Sequence, residues 1–397
     1  MSETLTATIG WSERPDAAQA GAEAAQQARD QLSCVTPQLA IVFGSSWFRQ
    51  TALLQGVRSV LGDVPLVGES TAGEITTQGP SSHSCVVVLL GASAPWCSTG
   101  MDAEIDRAPR EAGQQAAYAA VRGFQARQRA GFLLFGDGLV TSYAEVVRGI
   151  QETLGTSALI VGGMAGDDLR FTKTYQYCDG RVLSRAVVGV LVGGPVKLGV
   201  GIEHGFLPIS KPRRITRASA NRLLELDHQP AASVYEEYFG PELVARMRRE
   251  GLTRQAIAYP LGIQRDASTQ WLLRNVISFE GDGSLACSGE IFEDAWLQLM
   301  IGSRELALEA ASKAAQQAVR PLNHVACVLI FDSAVRRTLL GSRCAALEIA
   351  RIREAVGPSV PLAGCYTYGE QAPLGHESAY ERTAIQTGSV LVVALGT

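Results

Sequence analysis

An internal repeat limits what this chain can fold into more than any other feature of its sequence. Three Ala/Gln-rich segments, 16–32, 111–128 and 305–319, have the composition of helices, because alanine dominates them and β-branched residues are rare. Each is followed by a short apolar strand, a second helix and a second strand that runs into a glycine loop. Each copy then closes with an apolar strand, at 85–90, 186–192 and 389–395. The same order in three places predicts an internal duplication.

The repeated unit mixes crossover connections with adjacent strands, which predicts mixed sheets covered by helices. We therefore expect an α/β protein of the mixed α+β type, with two pseudo-repeated domains built from β-α-β-α-β-β units. Two copies fill an amino-terminal domain, 1–194. A carboxyl-terminal domain, 195–397, holds the third copy from about residue 285. It is preceded by a segment that is either a diverged copy or a linking insert.

The three glycine loops are the first candidates for a binding site. Loops 67–74 and 363–370 share the spacing G-x-x-T-x-G-E, and loop 161–167 is one residue shorter, with Asp in place of Glu. Open α/β sheets bind ligands at the carboxyl ends of strands, where exposed N–H groups can receive an anion. The alternative is that the loops are tight turns that pack helix against strand. The predicted ligand-binding residues are Gly68, Thr71, Gly73, Glu74, Gly162, Gly163, Asp167, Tyr366, Thr367, Gly369 and Glu370.

Composition excludes several classes of partner. The chain has 35 Lys and Arg against 39 Asp and Glu, a net charge of −4, which gives no general attraction to nucleic acid. The longest apolar stretch, 186–202, is interrupted by glycines, a proline and Lys197, so we expect no membrane span. The amino terminus has neither the basic nor the apolar region of a signal peptide. We expect a cytoplasmic protein, and a homo-oligomer is left open.

Catalytic signatures are weak in this sequence. There is no G-x-S-x-G elbow, no H-E-x-x-H and no C-x-x-C pair among eight cysteines. Cys365, beside Tyr366 and Tyr368, is the alternative nucleophile, although a buried structural thiol is the commoner role of such a residue. We therefore expect a protein that is not an enzyme, and keep an enzyme using Cys365 as the alternative.

The five histidines, at 83, 204, 228, 324 and 376, are the candidate ligands for a haem iron. His204 follows an apolar strand and has Phe206 and Leu207 beside it, and a fixed strand end holds an imidazole well. His376 follows the third glycine loop and is the runner-up. For each histidine the alternative is an ordinary hydrogen-bonded or exposed role.

The chain resembles the FIST sensory domain proteins, with an amino-terminal and a carboxyl-terminal half that together cover nearly all of it. The resemblance rests on the three glycine loops, on G-F-L-P-I at 205–209 and on the stretch 216–231. It implies a ligand-sensing module of bacterial signal transduction. A stand-alone subset of the family binds haem and senses nitric oxide, acting on histidine kinases or cyclic-di-GMP enzymes.

The sequence carries no transmitter or cyclase signature, so any output is expected to pass through a separate protein. The favoured hypothesis is a cytosolic sensor that binds haem through His204 and detects nitric oxide. The alternatives are a sensor of a small polar metabolite such as an amino acid, held by the glycine loops, and an enzyme using Cys365.

Overall fold

A computed structural model describes residues 5–32, 35–250, 257–265, 271–373 and 383–397. The first unit contains six strands and two helices in the order in which they follow here. They are β1 (Thr6–Ser12), α1 (Ala17–Gln31), β2 (Leu39–Ser45), α2 (Gln50–Leu61), β3 (Leu66–Thr71), the hairpin β4 (Glu74–Thr76) and β5 (Gly79–Ser81), and β6 (Cys85–Gly91). The Ala-rich face of α1 is buried against the sheet, as its composition predicts.

The second unit repeats this order element by element. It consists of β7 (Cys97–Asp102), α3 (Pro109–Gly123), β8 (Arg129–Asp137), α4 (Tyr143–Leu154), β9 (Ile160–Ala165), the hairpin β10 (Gln176–Cys178) and β11 (Arg181–Leu183), and β12 (Val187–Gly193). The duplication inferred from the sequence is therefore present in these two units.

The third unit begins earlier than the sequence suggested, at β13 (Lys197–Glu203), and an insert separates that strand from the rest. The insert contains β14 (Phe206–Pro208), β15 (Arg213–Ser219), β16 (Arg222–Leu226), β17 (Gln229–Pro230), α5 (Ser233–Glu250), β18 (Leu261–Gln264), β19 (Leu272–Arg274), β20 (Val276–Phe279), β21 (Leu285–Cys287) and β22 (Trp296–Gly302). Its strands form one antiparallel sheet with a hydrophobic core of its own.

The third unit resumes after the insert. It continues with α6 (Arg304–Val319), β23 (Val325–Ser333), α7 (Ala334–Val356), β24 (Leu362–Thr367), the hairpin β25 (Glu370–Pro373) and β26 (Thr383–Gln386), and β27 (Val390–Gly396). Helix α7 is broken at Gly341, whose φ is 69°. The expected start of the third copy near residue 285 is corrected, because β13 pairs with β27 as β1 pairs with β6. Residues between β13 and α6 are thus an insert within a unit.

Each unit builds a six-stranded sheet that it does not complete alone. The strand orders are β1-β6-β2-β3-β10-β11, β7-β12-β8-β9-β25-β26 and β13-β27-β23-β24-β4-β5. The last two strands of each sheet are a hairpin from another unit, so the first unit receives from the second, the second from the third, and the third from the first. In each sheet the two strands that flank the second helix of the unit are parallel and the other pairs are antiparallel. The α/β class with mixed sheets covered by helices is confirmed.

The three sheets turn one face toward a common core and carry their helices on the other. Phe43, Phe135 and Phe331 occupy equivalent places on β2, β8 and β23, and their ring centroids are 5.9 to 6.4 Å apart. All three rings are fully buried. The rings therefore mark a pseudo-threefold axis. No helix in the described part of the chain has the length and apolar character needed to cross a membrane.

The glycines that open the three predicted loops have a packing role. Gly68, Gly162 and Gly364 each lie opposite a residue of the neighbouring parallel strand. A Cβ on any of them would approach the carbonyl oxygen of that residue to 2.0 Å or less. Only glycine lets the two strands meet at this distance, which is the tight-packing alternative considered for the loops.

Replacing Gly364 by Ala should destabilise the protein by more than ~2 kcal/mol, because the added Cβ would lie 1.9 Å from the backbone oxygen of Ile330. Urea unfolding measures the change. The matched control is Gly281→Ala in an exposed turn of the insert, where the added Cβ meets nothing within 4 Å. Equal midpoints for the two variants would contradict this account of the strand contact.

Candidate functional site

A cavity of about 580 Å³ lies where three parts of the chain meet. Ala144 and Val147 of α4 form one wall, and Leu272 of the insert forms another. Val335 at the start of α7 and Ile385 of β26 close it from the third unit. Its size is that of a small-molecule site, and a ligand bound in it would touch the second unit, the insert and the third unit together.

The wall of the cavity is mostly apolar but carries an excess of positive charge. The charged side chains that line it, within the described residues, are Arg148, Arg265, Arg274 and Glu290. Three cations against one anion give a formal charge of +2. This part of the molecule is therefore suited to an anion, although the chain as a whole is acidic.

Arg148 and Glu290 join two walls of the cavity. Nη2 of Arg148, on α4, donates to both carboxylate oxygens of Glu290, on the insert, at 3.1 and 2.9 Å. Arg148 also contacts Glu145 one turn earlier on the same helix. Both oxygens of Glu290 are therefore already bonded to a guanidinium across the cavity wall.

Arg274 is held differently, by neutral groups alone among the described residues. Nη1 donates to the carbonyl oxygens of Leu273, at 2.8 Å, and Ile385, at 3.1 Å, and Nε donates to the carbonyl oxygen of Glu290 at 3.0 Å. The residue is 2% exposed. Burial lowers the pKa of Arg274 to about 10, so the guanidinium is still charged at neutral pH. A buried cation therefore faces the cavity on a rigid backbone support.

The loop after β9 forms part of the cavity mouth. Asp168, Leu169 and Phe171 all have positive φ, at 57°, 61° and 52°. Leu169 and Phe171 line the cavity and are partly exposed. Non-glycine residues in this conformation are strained, and such strain concentrates at functional sites.

Asp167 fixes that loop. Its carboxylate accepts the backbone N–H groups of Phe171, Thr172 and Lys173 at 2.7 to 2.9 Å, and the hydroxyl of Tyr368. Burial raises the pKa of Asp167, but the Tyr368 hydroxyl and these N–H groups outweigh it and the pKa is lowered. The Tyr368 ring stacks on Phe171 at 4.8 Å. A carboxylate of the second unit is thus tied to a tyrosine of the third.

The pseudo-threefold relation corrects the match between the three predicted acids. Glu74 pairs with Cys365, and Glu370 pairs with Gly163, in the borrowed hairpin of each sheet. The residue in the same place in the first sheet is Gln176, not Asp167. The shorter loop suggested by the sequence is in fact a longer one, because Asp167 belongs to a segment inserted before Gln176.

Glu74 and Glu370 are fully buried and bonded to their own units. Thr71 and Ser84 donate to Glu74, and Thr367 and Ser389 donate to Glu370. Burial raises the pKa of Glu74 to about 7 and that of Glu370 to about 8. These two carboxyls fasten the hairpins and do not line the cavity.

The other predicted residues lie on both sides of the axis. Gly163 faces the Phe331 ring, a Cβ on Gly73 would overlap the Arg337 guanidinium, and one on Gly369 would crowd the Met164 sulfur. Arg337 also lies over the Tyr366 ring, 4.7 Å from its centroid. Among the predicted site residues that the structure describes, Thr367 lines the cavity.

The geometry at His204 does not fit a haem ligand. Its Nδ1 accepts the backbone N–H of Phe206 at 2.9 Å, and burial lowers the pKa of the imidazole to about 4. A neutral imidazole that accepts at Nδ1 carries its proton on Nε2, so that nitrogen has no lone pair for iron. His204 does not line the cavity either. The second candidate, His376, lies outside the described residues.

The geometry at Cys365 does not fit a nucleophile. The residue is fully buried, with its Sγ 3.6 Å from Oε1 of Glu69 near the pseudo-threefold axis. Burial, together with the adjacent Glu69 carboxyl, raises the pKa of this thiol well above its usual range. It is therefore a thiol and not a thiolate at neutral pH.

Sequence reasoning missed the charged residues of the cavity. Arg274 stands in the apolar run W-L-L-R-N-V-I at 271–277, and a charge inside such a strand was the one available signal. Arg148 and Glu290 are 142 positions apart, and no spacing rule connects them.

A triplicated scaffold with a ligand-sized cavity between its units defines a small-molecule-binding protein. The chain belongs to the FIST family: the FIST N domain matches residues 38–229 and the FIST C domain matches residues 231–373. The two matches meet inside the insert, and the domain limits at 194 and 195 stay a prediction. FIST domains are signalling-associated, ligand-sensing domains.

Curated relatives extend over nearly the whole chain. The uncharacterized protein Rv0628c of Mycobacterium tuberculosis strain H37Rv is 26% identical over 95% of this chain and 97% of its own length. The uncharacterized protein Mb0898c of Mycobacterium bovis is 25% identical over 94% of this chain and 95% of its own length. The uncharacterized protein MJ1623 of Methanocaldococcus jannaschii is 35% identical, but over 27% of this chain and 20% of its own length.

Two solved structures align with the full length at low similarity. Cyanuric acid hydrolase from A. caulinodans gives a TM-score of 0.38 at 10% identity, covering 98% of this chain and 99% of that one. A chorismatase gives a TM-score of 0.38 at 11% identity, covering all of both chains. These values are too low to support a conclusion about activity.

The raised pKa values of Glu74 and Glu370 predict a pH dependence of stability. Their folded pKa values lie above the ordinary value of 4.5, so the folded state binds more protons from about pH 4.5 to about pH 8. Stability from this source is complete below that range and is lost as the pH rises through it. We expect Glu74→Gln with Glu370→Gln to reduce the loss between pH 5 and pH 8, by on the order of 2 kcal/mol.

Denaturant unfolding at both pH values measures this loss. The double variant should fold, because Gln176 already serves at the equivalent place. Glu354→Gln, on an exposed part of α7, is the control and should leave the loss unchanged. An equally steep loss in the double variant would show that these carboxyls are not its source.

Proposed function

We propose that this FIST protein is a sensor that binds a small molecule in the 580 Å³ cavity and passes the signal to a separate signalling protein. The observation that carries the proposal is that the cavity wall is shared by α4, the insert and the third unit. A ligand that contacts all three favours the arrangement in which they are closed around it, and this differential affinity is what a sensor needs.

Two contacts transmit that preference from the cavity to the insert. Arg148 binds Glu290, and Arg274 donates to the carbonyl oxygen of Ile385. Both contacts tie the insert to the triplicated body, and all four residues line the cavity. Binding inside the cavity therefore acts directly on the junction between the insert and the body.

The partner belongs to the proposal. A histidine kinase or a cyclic-di-GMP enzyme is the receiving protein that family membership favours. A cytoplasmic location is also proposed. It is supported by the cysteines of the described residues, which are all free, as is usual in a reducing compartment.

Replacing Ala144 by Trp should abolish ligand binding, because the indole would occupy the cavity from α4. Native mass spectrometry of the full chain, exposed to a small-molecule extract of its host and desalted, should show a retained species in the wild type and none in Ala144→Trp. Ala119→Trp, on an exposed position of α3, is the control and should retain the species. Equal retention by all three proteins would refute the cavity as the sensing site.

The hypothesis of haem and nitric oxide stays a prediction that depends on His376. Its test is the visible spectrum of the full chain after haem is added. A Soret band that shifts with nitric oxide, is lost in His376→Ala and is kept in His204→Ala would support it. A spectrum of unbound haem in the wild type would leave the small-molecule sensor as the function. That the chain is not an enzyme also stays a prediction.

A further inference from the structure

We infer that the ligand of the cavity is a small organic carboxylate with an apolar body, and that Arg274 is the residue that recognises its carboxylate. The inference rests on the proposed function, since it names the chemical class that the proposed site takes. It is carried by the partners of Arg274, by the charge of the wall and by the unpaired polar atoms beside it.

Arg274 is a buried cation with no charged partner among the described residues. Its three hydrogen bonds go to the carbonyl oxygens of Leu273, Ile385 and Glu290, which orient the guanidinium but do not neutralise it. Buried charges in proteins are normally paired, because an unpaired one is costly to remove from water. A ligand anion would supply the missing charge.

The carboxylate nearest in sequence and space does not fill this role. Both oxygens of Glu290 are bonded to Nη2 of Arg148, so its negative charge is already matched. Arg265 adds another cation, placed over the Phe292 ring at 4.1 Å from the centroid. Since the wall keeps a formal charge of +2 among the described residues, it favours an anion and disfavours a ligand ammonium group.

Two polar atoms of the wall are buried without a partner. Nε2 of Gln151 can donate a hydrogen bond to an oxygen of the ligand, and Oδ1 of Asn275 can accept one from a hydroxyl beside the carboxylate. Such atoms cost stability when they are left unpaired, which makes them frequent parts of binding sites. Together with Arg274 they describe a polar end of the cavity.

The remainder of the wall is apolar and fits a hydrocarbon body. Leu139 and Val140 follow β8, Leu272 and Ile277 come from the insert, and Phe292 adds an aromatic ring. Apolar walls with a few placed polar groups are the usual composition of small-molecule sites. A hydroxylated aryl or alkyl carboxylate satisfies both ends, whereas an amino acid brings a cation into a positive site.

Isothermal titration calorimetry of the full wild-type chain tests the inference with benzoate, butanoate, 3-phenyllactate, 3-phenyllactamide and phenylalanine. We expect at least one of the three carboxylates to bind, with 3-phenyllactate the tightest. The neutral amide and the amino acid should bind at least tenfold more weakly, because the charge-assisted hydrogen bond to Arg274 is lost or offset.

Variants of Arg274 assign the effect to this residue. Arg274→Met should weaken 3-phenyllactate binding at least tenfold and leave binding of the amide unchanged. Arg222→Met, on a partly exposed strand of the insert, is the control and should bind as the wild type does. Because Arg274 also bonds three carbonyl oxygens, its Met variant is checked by circular dichroism. If it fails to fold, Arg274→Lys and the comparison of acid with amide in the wild type decide.

The possible failures are distinguishable. Equal affinity for 3-phenyllactate and its amide, no binding of any of the three carboxylates, or undiminished binding by folded Arg274→Met would each overturn the inference. Retention of a neutral species by the wild type and not by Ala144→Trp would keep the proposed function while refuting the carboxylate. Carboxylate binding that is unaffected by Ala144→Trp would refute both, because the ligand would then lie elsewhere.

Discussion

Three borrowed hairpins hold the triplicated body together, and the rest of the structure depends on them. Each sheet ends in two short strands that come from another unit, so an isolated unit would leave a sheet edge unpaired. Folding of the three units is therefore coupled by backbone hydrogen bonds and not only by packing around Phe43, Phe135 and Phe331. The same exchange brings residues of different units together where the cavity forms. The hairpin β25–β26 places Ile385 beside Arg274 and Glu370 opposite Gly163.

The departures from threefold symmetry are concentrated at the cavity. The second unit has an extended loop that carries Asp167 and Phe171, while the corresponding turns of the other units run directly into their hairpins at Glu74 and Glu370. The third unit has the insert, which supplies Arg274. Where the three units agree, at the hairpin acids and their Thr and Ser donors, the side chains are bonded internally. The repeat thus builds the scaffold, and the additions to it build the site.

The sequence predicted the helices, the strands and their order, because Ala-rich helices and apolar strands are local patterns. It could not predict the exchange of hairpins, since a three-residue strand such as β4 reads the same whichever sheet it joins. It mistook Asp167 for the counterpart of Glu74, because a short glycine motif can be matched with a one-residue gap more easily than with a long insertion. Gln176, the true counterpart, is revealed by its pairing with Glu69 alone.

Arg274 shows why the site had to come from the structure. Its three carbonyl partners fix the guanidinium before any ligand arrives, so binding an anion requires little reordering of the side chain. One of those partners, Ile385, belongs to the borrowed hairpin, and Arg274 itself belongs to the insert. A negative charge placed at the guanidinium therefore acts at the contact between the insert and the body. The group that would recognise the ligand is also one of the groups that join the two parts whose relation a sensor has to change.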